Sequence, residues 1–125
     1  MLLQLMAKFS PFVSSFVLGI IWGLWHFPAY LIGSGVPQEM HFLVFLLWVV
    51  LGSLFIGWIY FNTQSVLTSI LVHAGANASF HFLNLLPEFT GSMEPFWFFL
   101  LYVTGCLMLV FSFKGKGFFY RDNTK

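Results

Sequence analysis

Long apolar runs dominate this chain, and charged residues occur only at their edges. No Asp, Glu, Lys or Arg lies between Lys8 and Glu39, between Glu39 and Glu88, or between Glu94 and Lys114. A helix needs roughly 20 apolar residues to cross about 30 Å of hydrocarbon, and the middle run is long enough to cross twice. The pattern therefore predicts an all-α, polytopic membrane helix bundle with about four transmembrane helices.

Turn signals divide these runs into four predicted helices. Their approximate ranges are Pro11–Ile32, His41–Phe61, Gln64–Leu86 and Pro95–Phe113. Three kinds of connection separate them: a turn rich in Gly and Pro at Gly33–Pro37, a tight link at Asn62–Thr63, and an acidic loop at Glu88–Glu94. The tight link also offers an N-cap for the third helix.

Composition supports the membrane interpretation. Of the 125 residues, 59% are hydrophobic and 7% are charged, whereas a soluble domain carries roughly 25% charged residues. The net charge of +1 is not concentrated in a basic stripe, so no nucleic-acid partner is expected. With Cys106 as the single cysteine, the chain has no disulfide framework and no cysteine metal site.

The charge pattern also predicts an orientation, because Lys and Arg collect on the cytoplasmic side of a membrane. Lys8 precedes the first helix, and the chain after the last helix carries four basic residues: Lys114, Lys116, Arg121 and Lys125. We therefore predict a multi-pass protein of the cell membrane with both termini in the cytoplasm. Residues 1–113 form the predicted transmembrane domain, and residues 114–125 form a basic cytoplasmic tail.

Polar residues recur along one face of the third predicted helix. Since an α-helix turns by about 100° per residue, these polar residues fall within roughly a third of the helix circumference. They are Ser69, His73, Asn77, His81 and Asn84. Lipid cannot satisfy these groups, so the face must meet other helices or a water-filled pocket. A hydrogen-bonded seam between helices and a functional site are both compatible with this stripe.

The first predicted helix carries a histidine beside a proline. Because Pro28 cannot donate to the carbonyl of Leu24, the helix should kink or open next to His26. A site that holds water or an ion and a simple kinked helix end both fit this pattern. By helical rise, His26 lies about 22 Å and His73 about 16 Å along their helices. If these helices run parallel, the two histidines share one layer.

Small residues four positions apart predict close helix packing. The pairs are Gly19 and Gly23, Ser53 and Gly57, and Gly75 and Ser79. Two of these pairs lie beside the histidines, so close approach of the first and third helices would bring the polar groups together. We interpret the five tryptophans as packing or interface residues, assign no role to His41, and interpret Glu88 and Glu94 as solvated loop residues.

Two segments resemble motifs of the CPBP family, also called Abi, which includes type II CAAX prenyl proteases and bacteriocin-processing and self-immunity proteins. Trp22-Gly-Leu-Trp-His26, followed by Pro28, is similar to the family's second motif, an aromatic residue and a histidine with three residues between them. His73-Ala-Gly-Ala-Asn77 is similar to the third motif, His-xxx-Asn. The likeness extends over about residues 2–86.

The family's first motif, Glu-Glu-xxx-Arg, is absent, since the chain has no adjacent acidic pair. In relatives that motif lies directly before the segment that resembles Leu2–Pro11. The resemblance therefore leads us to expect the C-terminal part of a longer protease, either truncated at its N-terminus or started at an internal methionine.

The resemblance implies an intramembrane endopeptidase that cleaves prenylated or membrane-associated peptides. His26 and His73 would hold water or a divalent metal such as zinc, and Asn77 would donate to the carbonyl or oxyanion. The carboxylate that activates water in relatives comes from the missing motif. Loss of a general base typically costs 10² to 10⁴ in rate, so the isolated chain is expected to be inactive. The expected partners are membrane lipid and the peptide or prenylated-protein substrate.

Two other functions are compatible with the sequence. A non-catalytic membrane immunity or scaffold protein would bind a partner through the same polar groove, and the absent Glu pair favours it. A small transporter subunit would need the polar stripe but not the His-xxx-Asn spacing. The substrate and the oligomeric state stay open at this point.

Overall fold

The computed structural model describes residues 4–5, 7–34, 36–114 and 116–119, with the side chains of all but His81, Lys114 and Lys116. Helices and turns account for this part of the chain, which contains no strand. The helices are α1 (Pro11–Trp25), α2 (Phe27–Leu31), α3 (Phe42–Thr63), α4 (Val66–Phe82), α5 (Pro87–Thr90), α6 (Glu94–Lys114) and α7 (Lys116–Phe119). The predicted all-α helix bundle is confirmed.

Three helical stretches are long and apolar enough to cross a membrane: Pro11–Leu31, Phe42–Thr63 and Glu94–Phe113. The first of them combines α1 and α2. The helix α4 has 17 residues, which span about 25 Å and fall short of the roughly 30 Å hydrocarbon thickness. Its predicted end near Leu86 is wrong, because the helix stops at Phe82 and Asn84 takes a left-handed backbone conformation with φ 46°.

The turn between α3 and α4 differs from the predicted link. Thr63 is the last residue of α3, and the Asn62 side chain donates back to the Trp58 carbonyl. The chain reverses at Gln64, whose φ of 52° is left-handed. Ser65, and not the Asn62–Thr63 pair, caps α4: its hydroxyl accepts from the Thr68 N–H at 3.2 Å.

The closest helix contact joins α1 to α3. A Cβ added at Gly19 would lie 2.9 Å from the Val50 Cα, and one added at Gly57 would overlap the Ser15 hydroxyl. At the same level the buried Ser53 hydroxyl donates across the interface to the Ser15 carbonyl at 2.8 Å. The small-residue patterns of the first two predicted helices therefore do form a tight interface.

The third small-residue pattern does not form a helix contact. A Cβ added at Gly75 would meet no atom within 4 Å, and Ser79 is exposed, with its hydroxyl bonded to the Gly75 carbonyl. The predicted close approach of the two histidine-bearing helices is thus wrong. Instead α1 and α4 each pack on α3, where Phe80 of α4 meets Trp48 with ring centroids 5.0 Å apart.

Aromatic and aliphatic side chains complete the bundle at both ends. A buried cluster joins the loop before α3, one end of α3 and the start of α6; it consists of Val36, Met40, Phe45, Val49, Phe96 and Leu100. At the other end, Phe118 of α7 is fully buried and its ring contacts those of Phe12 and Phe61. Arg121 and Lys125, which belong to the predicted basic cytoplasmic tail, lie outside the described residues.

We expect the α1–α3 contact to dominate stability. In Gly19→Ala the new Cβ meets backbone that cannot move aside, so the free energy of unfolding should fall by about 1–3 kcal/mol. Gly75→Ala is the matched control, since its Cβ enters open space on a helix of the same bundle. Reversible unfolding in mixed micelles, followed by circular dichroism, measures both variants; equal stability would contradict the assigned interface.

Candidate functional site

The three predicted site residues, His26, His73 and Asn77, line one cavity of about 690 Å³. Its walls come from the end of α1, the middle of α3 and the inner face of α4. At one end of the bundle, Glu39 of the loop before α3 and Glu88 of the short helix α5 contribute to its lining, and both side chains are exposed. The cavity thus places ionisable and amide groups between helices that are otherwise apolar.

His26 occupies a break between two helices. The helix α1 ends at Trp25, and α2 begins at Phe27 with Pro28 in its first turn. The backbone N–H of His26 donates to the Gly23 carbonyl at 3.1 Å, and not to the Trp22 carbonyl as it would in a regular α-helix. The predicted opening of the helix beside Pro28 is confirmed.

The His26 side chain bonds to a backbone carbonyl of the preceding helix. The Trp22 carbonyl lies 2.8 Å from His26 Nδ1. A carbonyl oxygen can only accept, so Nδ1 carries a proton in this hydrogen bond; in the neutral imidazole Nε2 then has the free lone pair. The local break therefore selects one tautomer of the neutral imidazole and leaves Nε2 able to accept a proton or bind a ligand.

His73 lies in the middle of α4 and is half-buried. Its ring centroid is 5.2 Å from that of Trp22, with the two planes tilted by 37°. The same indole contacts the His26 ring at 6.1 Å, and His26 also meets Phe45 at 5.5 Å. Since both histidines touch one indole, the prediction that they share a layer of the bundle is confirmed.

The polar stripe of α4 divides into a centre and two ends. Asn77 follows His73 by one turn and lines the cavity with it. At one end the Ser69 hydroxyl donates within its own helix to the Ser65 carbonyl, and at the other Asn84 is exposed beyond the helix. The His81 side chain lies outside the described part of the chain. Among the described members of the stripe, none bonds to another helix, which argues against a hydrogen-bonded seam.

Sequence reasoning missed several residues of the cavity. Phe45 and Trp48 line it, although tryptophans and phenylalanines are so common in this chain that neither stood out. Trp22 also lines it; the sequence marked this residue as the aromatic position of the second motif, but we interpreted its side chain as packing. Glu88 was interpreted as a solvated loop residue; it is exposed but also borders the cavity, whereas Glu94 starts α6. Only the tertiary fold could bring Glu39, from the loop before α3, and Glu88, from α5, to this position.

A second, smaller cavity of about 230 Å³ lies beside the first. It lies along the tight contact of α1 and α3, and its lining consists of Ser15, Leu18, Trp22, Ser53, Ile56, Gly57 and His73. Trp22, Ile56 and His73 line both cavities. These three side chains therefore form the partition between a polar space and a mainly apolar one.

The side chains present do not complete a catalytic zinc site. Within the described part of the chain, no three residues of the types His, Cys, Asp and Glu come together as possible ligands. His26 and His73 offer two imidazole nitrogens, and catalytic zinc normally takes three protein ligands. Zinc stays a prediction from the resemblance, and its third ligand would have to come from outside these residues.

The fold is that of a helical membrane protein, and two histidines and one asparagine line a cavity between its helices. A family model, Type II CAAX prenyl endopeptidase Rce1-like, matches residues 1–79, a stretch that contains all three site residues. The chain therefore belongs to this family, and the predicted membership among the CAAX prenyl proteases is confirmed. No curated protein and no solved structure matches the chain.

We expect water to reach the cavity but not the outer face of α4. In a Cys106→Ala background, Asn77→Cys should react rapidly with a charged, membrane-impermeant maleimide, because the reactive thiolate forms only where water enters. Leu71→Cys is the control, since Leu71 is 63% exposed on the same helix but does not line the cavity. Equal labelling of the two cysteines in vesicles would show that the cavity is filled by lipid.

Proposed function

We propose that this chain provides the histidine- and asparagine-bearing part of an intramembrane endopeptidase of the CAAX type. Its substrates would be prenylated or membrane-associated peptides. The observation that carries the proposal is the shared cavity of His26, His73 and Asn77 between membrane helices. Family membership supports endopeptidase chemistry as the class of reaction.

In the proposed mechanism a water molecule lies beside the two histidines. The His26 Nε2 lone pair accepts a hydrogen bond from this water, because Nδ1 is already committed to the Trp22 carbonyl. As the water oxygen attacks the peptide carbonyl, a carboxylate removes its proton and later delivers a proton to the leaving nitrogen. The Asn77 amide donates to the oxyanion of the tetrahedral intermediate, which stabilises the charge that develops there.

The proposed mechanism needs a carboxylate as general base. In relatives the Glu-Glu-xxx-Arg motif supplies it, and this sequence lacks that motif. Glu39 and Glu88 are the carboxylates among the described residues that line the cavity; Glu39 lies in the loop before α3, and Glu88 lies in the short helix α5. We infer that the 125-residue chain alone hydrolyses substrate slowly or not at all, since general-base catalysis typically contributes 10² to 10⁴ in rate.

We further propose that the protein resides in the cell membrane with both termini in the cytoplasm. The support is the charge pattern: Lys8 precedes α1 and basic residues follow α6, while the loops carrying Glu39 and Glu88 lack Lys and Arg.

Replacement of His73 tests the endopeptidase assignment. We expect His73→Ala, made in the gene at its natural locus, to lower cleavage of a prenylated peptide by membranes at least about 10²-fold, because a water-positioning group is lost. His41→Asn is the matched control. His41 is exposed, caps α3 by accepting from the Leu43 N–H, and does not line the cavity; asparagine preserves a cap.

Unchanged turnover in His73→Ala, with the protein still present in the membrane, would refute the endopeptidase proposal. The second candidate is a non-catalytic immunity or scaffold protein, which the absence of an adjacent acidic pair favours. It would bind its partner through the same groove. In that case, binding or protection survives replacement of both His26 and His73, whereas a protease loses its function.

A further inference from the structure

Trp22 connects parts of the site that have little other direct contact. The helices α1 and α4 carry the two histidines, yet each packs on α3 and not closely on the other. The Trp22 side chain crosses this gap from α1 and meets the His73 ring of α4 at 5.2 Å. An indole has large contact area and few rotatable bonds, so such a contact holds its neighbour at low entropic cost.

The main chain of Trp22 acts on the other histidine. Its carbonyl accepts from His26 Nδ1 at 2.8 Å. Its indole ring also meets the His26 ring in a T-shaped contact, with centroids 6.1 Å apart and an angle of 63° between the planes. One residue therefore contacts both imidazoles by different means: a hydrogen bond that sets the tautomer of His26, and ring packing that sets the position of His73.

Trp22 also separates the two cavities. It lines the larger space that holds Asn77 and the smaller, mainly apolar space toward Ser15 and Gly57. With a smaller side chain at position 22, these spaces would merge. The His73 ring, which lines both, would then have room to turn away from Asn77 into the apolar side.

We propose that Trp22 is a positioning residue that holds His26 and His73 in one fixed arrangement and closes the site off from the apolar cavity. Its effect on catalysis rests on the proposed function, but its effect on the histidines does not. Two independent measurements therefore test it.

The first measurement is nuclear magnetic resonance of the ¹³C,¹⁵N-histidine-labelled chain in lipid nanodiscs. In wild type we expect the ring current of Trp22 to shift the His73 Cε1–H resonance, since the ring centroids lie 5.2 Å apart. In Trp22→Leu this shift should disappear and the His73 signal should broaden, while the His26 nitrogens keep their Nδ1–H pattern because the main-chain carbonyl is retained. Trp25→Leu is the matched control, since Trp25 lies on the same helix and is 80% exposed.

Trp22→Phe is the control for the possibility that Trp22→Leu fails to fold. It keeps an aromatic ring at the same place, so the His73 shift should be reduced but retain its direction. A His73 resonance that is identical in wild type, Trp22→Leu and Trp22→Phe would overturn the proposal. So would a Trp25→Leu spectrum changed as much as that of Trp22→Leu.

The second measurement is cleavage of the prenylated peptide by the natural gene product. Misplacement of a catalytic group by about 1 Å can cost 10²-fold, so Trp22→Leu should lower kcat about 10- to 100-fold with little change in KM. Trp22→Phe should recover most of this loss, and Trp25→Leu should resemble wild type. A Trp22→Leu enzyme with unchanged kcat would refute the positioning role. If wild type cleaves nothing, the proposed function fails, and the resonance of His73 still decides the role of Trp22.

Discussion

The contact of α1 with α3 is the interaction on which the rest of this structure depends. In a bilayer, apolar side chains gain nothing by leaving lipid, so helices associate through van der Waals contact and hydrogen bonds. Gly19 and Gly57 allow the two main chains to touch, and the Ser53 hydroxyl donates to the Ser15 carbonyl. This contact makes α3 a fixed surface, and α4 packs on that surface. The two histidine-bearing helices thus obtain their relative position through α3.

A second constraint is the break in the first membrane span. A carbonyl released from its helix partner in a membrane must find another donor, and irregular backbone is tolerated only where it is buried or lines a cavity. Here the released carbonyl is that of Trp22, and the donor is His26 Nδ1. The same hydrogen bond satisfies a carbonyl at the helix break and fixes the orientation of the His26 ring.

Much of the fold and part of the site were predictable. The charge-free runs predicted the membrane spans, the spacing of Gly19 and Gly23 predicted a close contact, and Pro28 predicted the opening beside His26. Other inferences failed for a shared reason. Gly75 has the same local pattern as Gly19, yet it faces open space, because the pattern shows which residues share a helix face but not which face meets a neighbour. The second motif marked Trp22 as its aromatic position, but only the tertiary structure shows that this ring contacts both histidines.

The sequence by itself determined the membrane class, the family and the identities of His26, His73 and Asn77 as candidate site residues, since these follow from hydropathy and from local spacing. The tertiary structure decided that α1 pairs with α3, that α4 ends at Phe82, and that Trp22, Glu39 and Glu88 join the cavity. These features depend on contacts between residues far apart in the chain. Such contacts are set by how complete helix surfaces fit one another, which no local pattern records.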